Sequence, residues 1–104
     1  MSKDNGFYIV LIREAIAKIK AYTHQGRRVF FASPLIQDAV VRNFERISDA
    51  AGKVSEEIRN EHSDVPWEEL AMLKRVLLYP DLDAVWNTVE LLDSLQAELK
   101  GIVC

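Results

Sequence analysis

The side chains best suited to chemistry in this 104-residue chain stand close together between two tryptophans. Lys74 and Arg75 are adjacent cations, and Tyr79 follows directly before a proline. An ammonium or guanidinium group can hold a phosphate, and a tyrosine hydroxyl can donate a hydrogen bond to it. The same residues also suit an ordinary helix, with a solvated charged face and an aromatic residue packed at its end. Both interpretations are open on these residues alone.

Histidine and cysteine, which carry much acid–base and nucleophilic chemistry, are scarce. The two histidines, His24 and His62, lie far apart in sequence, and the single cysteine is Cys104. One cysteine excludes an internal disulfide framework and a cysteine-based zinc site. We therefore expect no metal and no cofactor, and histidine-based acid–base catalysis has only these two candidates.

Composition and charge favour a soluble globular protein. The chain is 49% hydrophobic and 28% charged, with a formal net charge of −3, so no uniform basic footprint for nucleic acid is present. Its length predicts one domain over residues 1–104. The N-terminus lacks the pattern of a signal peptide, and no apolar run approaches the ~20 residues of a membrane span. We therefore expect a cytoplasmic protein that does not enter a membrane.

Apolar residues that recur every three or four positions predict four helices. The first spans residues 7–21. The second opens at Ser33, which is a good N-cap, and its apolar period lasts for about 25 residues. Phe30 and Phe31 are then expected in the connection between these two helices.

Proline and aspartate mark the starts of the remaining helices. Pro66 suits the first turn of a third helix, and Asp81 can cap a fourth. No segment has the length and alternation of a strand. Four helices with short connections favour an all-α fold, an antiparallel bundle of four to five helices.

The second predicted helix carries four cations: Arg42, Arg46, Lys53 and Arg59. They could form a stripe that faces a phosphate backbone. Three glutamates interleave with them and favour an ordinary salt-bridged surface instead: Glu45, Glu56 and Glu57.

The stretch from Asp38 to Leu99 resembles the HepT-like proteins of the HEPN superfamily. Three segments carry the resemblance: DAVVRNFERISDAAGKVSEE, HSDVPWEELAML and DLDAVWNTVELLDSL. In that family the third helix opens with Ile-Pro-Trp, which corresponds to VPW at 65–67 here. A later Asp-Leu-Asp and tryptophan correspond to DLD at 81–83 and Trp86, and Asp49 stands at the position of a family glutamate.

The resemblance implies a ribonuclease toxin that pairs with a minimal nucleotidyltransferase antitoxin. Family members are helical bundles that form homodimers, with the active cleft where the two subunits meet. The signature of the cleft is an arginine, four to six residues, then His-x-Tyr, and it implies metal-independent cleavage of RNA. The antitoxin attaches adenylyl groups to the motif tyrosine. A second copy of the chain, the nucleotidyltransferase and RNA are therefore the implied partners, with no cofactor.

This chain departs from the signature at its centre, where it reads MLKRVLLYPDLD. Counted from Trp67, the motif arginine falls on Lys74 and the motif histidine on Tyr79, and the residues that follow are deleted. Another register places the arginine on Arg75 and keeps Tyr79 as the motif tyrosine. Neither register contains a histidine. A tyrosine, with a pKa of about 10, is a poor base near neutral pH compared with an imidazole of pKa about 6.5.

We therefore predict a dimerising HepT-like subunit that docks a nucleotidyltransferase and has weak or no ribonuclease activity. The alternatives are an active ribonuclease with a rearranged site and a structural helical protein unrelated to toxins. Lys74, Arg75 and Tyr79 are the candidate catalytic residues, and Arg42 and Asp49 are candidates to line the cleft. Three apolar residues are candidates for an exposed dimerisation strip: Phe44, Leu77 and Leu78.

Overall fold

The structure is a computed structural model that describes residues 3–76 and 81–102, and these residues form helices and no strand. The helices are α1 Lys3–Thr23, α2 Arg27–Ala32, α3 Pro34–Lys53, α4 Glu56–Glu61, α5 Trp67–Val76, α6 Leu82–Glu90 and α7 Leu92–Leu99. The prediction of an all-α helical bundle is confirmed. None of these helices is both long and apolar enough to cross a lipid bilayer.

Helix α3 is the centre of the bundle, because it packs against α1 along one side and against α5 along another. Its start is encoded locally: the Ser33 hydroxyl accepts a hydrogen bond from the Ile36 N–H at 3.2 Å, and a proline occupies the first turn. The apolar residues of α3 then face the core, with Phe44 and Ile47 completely buried. Phe44 was therefore wrong as part of an exposed strip, while Leu77 and Leu78 lie outside the described residues.

The second predicted helix is interrupted, and the reason is visible at the break. Helix α3 ends at Lys53, and Val54 has an extended backbone. The Ser55 hydroxyl then accepts a hydrogen bond from the Ile58 N–H at 3.4 Å and caps α4. Arg59 donates to the carbonyls of Val54 and Ala51, at 3.0 and 2.8 Å, which satisfies acceptors at the end of α3.

The connection that was predicted around the adjacent phenylalanines is the short helix α2. Phe30 is buried, and its ring centroid lies 5.3 Å from that of Trp86 and 5.4 Å from that of Phe31. Burial of Phe30 explains the helix, since tertiary packing supplies what six residues cannot supply alone. The fourth predicted helix is likewise divided at Leu91, whose N–H bonds to the Thr88 carbonyl at 3.1 Å.

Candidate functional site

Two of the predicted site residues, Lys74 and Asp49, lie next to each other although 25 positions separate them. The Lys74 Nζ atom is 3.2 Å from Asp49 Oδ1, and both side chains are more than half exposed, at 57% and 55%. An exposed ion pair of this kind contributes roughly 0–1 kcal/mol. The pair therefore marks the place where α5 passes α3, and it contributes little to holding the helices together.

The attachment of α5 to α3 at this point depends on Ser48, which is only 2% exposed. Its hydroxyl donates to the carbonyl of Ala71 at 2.7 Å and accepts from the backbone N–H of Lys74 at 3.1 Å. These contacts fix the backbone of Lys74 beside α3. Ser48 was not among the predicted site residues, and its only signal in the sequence is that it is a serine on the apolar face of an amphipathic helix.

The other predicted site residues are not brought into this pair. Arg75 is exposed and forms no ion pair with any other described side chain. Arg42 is 3.9 Å from Glu45, one turn further along its own helix, as expected for an ordinary salt-bridged surface. Tyr79 lies outside the described residues.

The histidines occupy ends of other helices. The His24 Nδ1 atom lies 3.3 Å from the carbonyl of Ala21, at the end of α1. His62 ends α4, and its carbonyl accepts a hydrogen bond from the Trp67 indole at 2.9 Å. In the described part of the chain, neither imidazole is hydrogen-bonded to Lys74.

A groove of about 380 Å³ runs between α1 and α3, and Asp49 belongs to its wall. Aromatic residues from the start of α1 line one end, and cations from both helices line the sides. The Lys74–Asp49 pair therefore borders this groove. The lining of this groove includes Phe7, Tyr8, Glu14, Lys18, Arg46 and Lys53.

A second groove, of about 300 Å³, lies on another face of α3, between that helix, α5 and the last two helices. Its lining is mainly aliphatic and includes Leu70, Leu73 and Leu95. Leu91 stands at this groove and is 65% exposed. Within residues 3–76 and 81–102, no three His, Cys, Asp or Glu side chains are grouped as metal ligands would be.

The described residues form an all-α bundle, and comparison with known proteins gives its family. Residues 12–102 match the family described as "Ribonuclease HepT-like". The chain is a member of this HepT-like family of the HEPN superfamily, as the resemblance of its segments predicted.

Three relatives show how far the similarity extends. The chain is 34% identical over 95 residues to "Gamma-glutamylcyclotransferase and putative RNase MJ0434" of Methanocaldococcus jannaschii, covering 86% of this chain and 43% of that protein. It is 27% identical over 95 residues to "Probable ribonuclease HepT" of Thermococcus cleftensis, covering 86% of each. It is 29% identical over 79 residues to "Putative RNase TTE0752" of Caldanaerobacter subterraneus subsp. tengcongensis, covering 71% of this chain and 70% of that protein. The chain thus spans less than half of the first relative, and no solved structure matches it.

Proposed function

We propose that this chain is the HepT-like subunit of a toxin–antitoxin pair, which dimerises, docks a minimal nucleotidyltransferase and cleaves RNA weakly or not at all. Membership of a ribonuclease family supports the connection with RNA. The observation that supports low ribonuclease activity is the set of residue types at the positions of the family signature. In one register a lysine, Lys74, stands where the family signature has an arginine, and in neither register does a histidine follow.

The surroundings of Lys74 support this proposal. Its ammonium group is paired with the Asp49 carboxylate at 3.2 Å. The negative charge of Asp49 therefore weakens the attraction between Lys74 and the phosphate at the cleavage point of an RNA. An ammonium group is also a point charge, without the planar fork of a guanidinium group that binds two phosphate oxygens at once. No imidazole is available beside Lys74 to transfer a proton near neutral pH, because His24 and His62 lie at the ends of α1 and α4. Loss of a positioned acid or base typically lowers a rate by about 10²–10⁴-fold.

A ribonuclease assay in the presence of a chelator tests the catalytic part. We expect the purified chain to degrade a single-stranded RNA little or no faster than the buffer alone, and Lys74→Ala to leave that rate unchanged. Lys20→Ala is the matched control, because Lys20 is also a partly exposed lysine, paired with Asp93 at 2.7 Å. RNA degradation that Lys74→Ala abolishes and Lys20→Ala leaves intact would contradict the proposal. It would establish the alternative, an active metal-independent ribonuclease with a rearranged site, which the names of the relatives favour.

The partner is tested by co-expression with a minimal nucleotidyltransferase, taken from the neighbouring gene where such a gene is present. We expect the two proteins to co-purify, and mass spectrometry of the intact chain to show whether adenylyl groups are attached. Light scattering of the chain alone is expected to give the mass of a dimer, and the exposed Leu91 beside an apolar groove supports such an association. A monomer that does not bind the nucleotidyltransferase would leave only a structural helical protein.

A further inference from the structure

The groove between α1 and α3 is built in advance of any ligand. Asn5, which is buried, accepts a hydrogen bond from the Ser55 N–H at 2.9 Å and donates one to the Ser55 hydroxyl at 3.0 Å. This pair of contacts fixes the first turns of α1 against the end of α3. The resulting volume of about 380 Å³ lies within the range of small-molecule binding sites.

One end of the groove presents an aromatic ring to solvent. Phe7 is 58% exposed, although phenylalanine is among the residues most often buried. Its ring meets the edge of Tyr8, with centroids 5.5 Å apart and an angle of 62° between the planes. This contact orients the Phe7 ring and leaves more than half of the side chain uncovered. An exposed aromatic ring at a groove is the platform on which proteins stack an unpaired base.

The sides of the groove carry cations that form no ion pair with the described carboxylates. Lys18, Arg46 and Lys53 are exposed, and no described carboxylate lies within 4.0 Å of them. The nearest recorded polar partner of Arg46 is the Asn43 side-chain oxygen at 3.5 Å, and the Lys53 Nζ atom lies 5.8 Å from the Tyr8 ring centroid. By contrast, Arg59 is engaged in the fold, because it donates to two carbonyls at the end of α3.

The two carboxylates of the lining do not reverse the sign of this surface. Asp49 is paired with Lys74, and Glu14 is the other acidic residue of the groove. Three cations therefore face one unpaired carboxylate, on a chain whose formal net charge is −3. A ligand with several negative charges and at least one planar ring matches this surface.

We propose that the groove between α1 and α3 binds single-stranded RNA, with a base stacked on Phe7 and neighbouring phosphates held by Arg46 and Lys53. The choice of RNA as the ligand rests on the proposed function, and binding here requires no cleavage. The site is separate from Lys74 and Arg75, and it touches the candidate cleft only through Asp49. The chain is thereby an RNA-binding protein even where the family signature is degenerate.

Fluorescence anisotropy with a labelled, single-stranded oligouridine that carries 2′-O-methyl sugars tests the proposal. The blocked 2′-oxygen prevents strand cleavage by internal attack, so binding is measured whether or not the chain is a nuclease. We expect Phe7→Ala to weaken binding roughly tenfold, in line with the loss of one stacked base. Arg46→Gln and Lys53→Gln are each expected to weaken it about threefold or more and to lower the salt dependence by about 0.7 per lost phosphate contact.

Glu14→Gln provides a test of opposite sign, because removal of the unpaired carboxylate is expected to tighten binding. Two exposed residues outside the groove serve as matched controls: Arg28→Gln for the charge and Leu35→Ala for the apolar side chain. Phe7→Tyr, which keeps a stacking ring, is expected to bind like the original chain. Circular dichroism of each variant shows that the helices are intact.

Several outcomes would overturn the proposal. The first is that the original chain does not bind the oligonucleotide at low salt. The second is that Arg28→Gln weakens binding as much as Arg46→Gln, which would mean diffuse attraction without a site. The third is that Arg46→Gln binds the oligonucleotide normally but no longer co-purifies with the nucleotidyltransferase, which would assign the groove to a protein contact. Rapid cleavage of unmodified RNA, by contrast, would refute the proposal that the ribonuclease activity is weak or absent, and it would leave the proposed RNA-binding groove untouched.

Discussion

Replacement of Ser48 by alanine is expected to loosen the attachment of α5 to α3. The hydroxyl makes two hydrogen bonds, at 2.7 Å to the Ala71 carbonyl and at 3.1 Å from the Lys74 N–H. A net value of about 0.5–1.5 kcal/mol for each predicts a loss of roughly 1–3 kcal/mol in the free energy of unfolding. For a chain of this length, ~2 kcal/mol corresponds to a fall in Tm of about 8 °C.

The measurement is urea unfolding followed by circular dichroism, at one protein concentration so that any self-association contributes equally. Ser94→Ala is the matched control, because Ser94 also lies inside a helix but is exposed. Both variants gain the higher helix propensity of alanine, so the difference between them isolates the two hydrogen bonds of Ser48. Equal stability of the two variants would refute the role that we assign to Ser48.

Four further predictions concern two glycines, the ion pair and the end of α3. Gly26 has φ +97° and ψ 179°, a conformation essentially restricted to glycine, so Gly26→Ala is expected to cost about 1–3 kcal/mol by thermal unfolding. Gly52 lies in α3, and no atom lies within 4 Å of an added Cβ, so Gly52→Ala is expected to raise the free energy of unfolding by roughly 0.5–1 kcal/mol. A change of the same sign in Gly26→Ala and Gly52→Ala would contradict this reasoning. Lys74→Met is expected to change the free energy of unfolding by less than about 1 kcal/mol, so that a larger loss in urea would show the ion pair to be structural. Arg59→Gln removes two donors at the end of α3 and is expected to cost about 1–3 kcal/mol in the same assay, whereas Arg28→Gln is expected to stay within about 0.5 kcal/mol.

Local signals predicted the starts of helices well. Ser33 caps α3 and Asp81 caps α6, each through a hydrogen bond to a backbone N–H two or three positions away. Such contacts lie within a few residues of the chain and need no partner from elsewhere, which is why sequence reasoning could find them.

The break between α3 and α4 could not be found from the apolar period. Val54 and Ile58 stand on either side of the start of α4, and both are buried in the core. Their spacing by four therefore continues the helical pattern across a segment that is not helical at Val54. Hydrophobic periodicity reports which residues face the core, and it does not report whether the backbone between them stays helical.

The candidate site was predicted as separate residues, and their arrangement was not predicted. Lys74 and Asp49 were both named from the family resemblance, but their ion pair depends on the packing of α5 beside α3. Of the four cations along the second predicted helix, Arg42 pairs within α3 and Arg59 caps its end, while Arg46 and Lys53 line the groove. The sequence pattern left both interpretations of that stripe open, and each is right for part of it.

The amino-acid sequence by itself determined the all-α fold and the HepT-like family, because both depend on the order and spacing of residues along the chain. It also determined that no histidine follows Lys74. Only the tertiary structure decided which charges are paired and which face solvent. The partner of a polar or charged side chain comes from whichever segment packs against it, as Asp49 shows for Lys74 and Ser55 shows for Asn5. Those contacts join residues 25 and 50 positions apart, and no local pattern in the sequence encodes them.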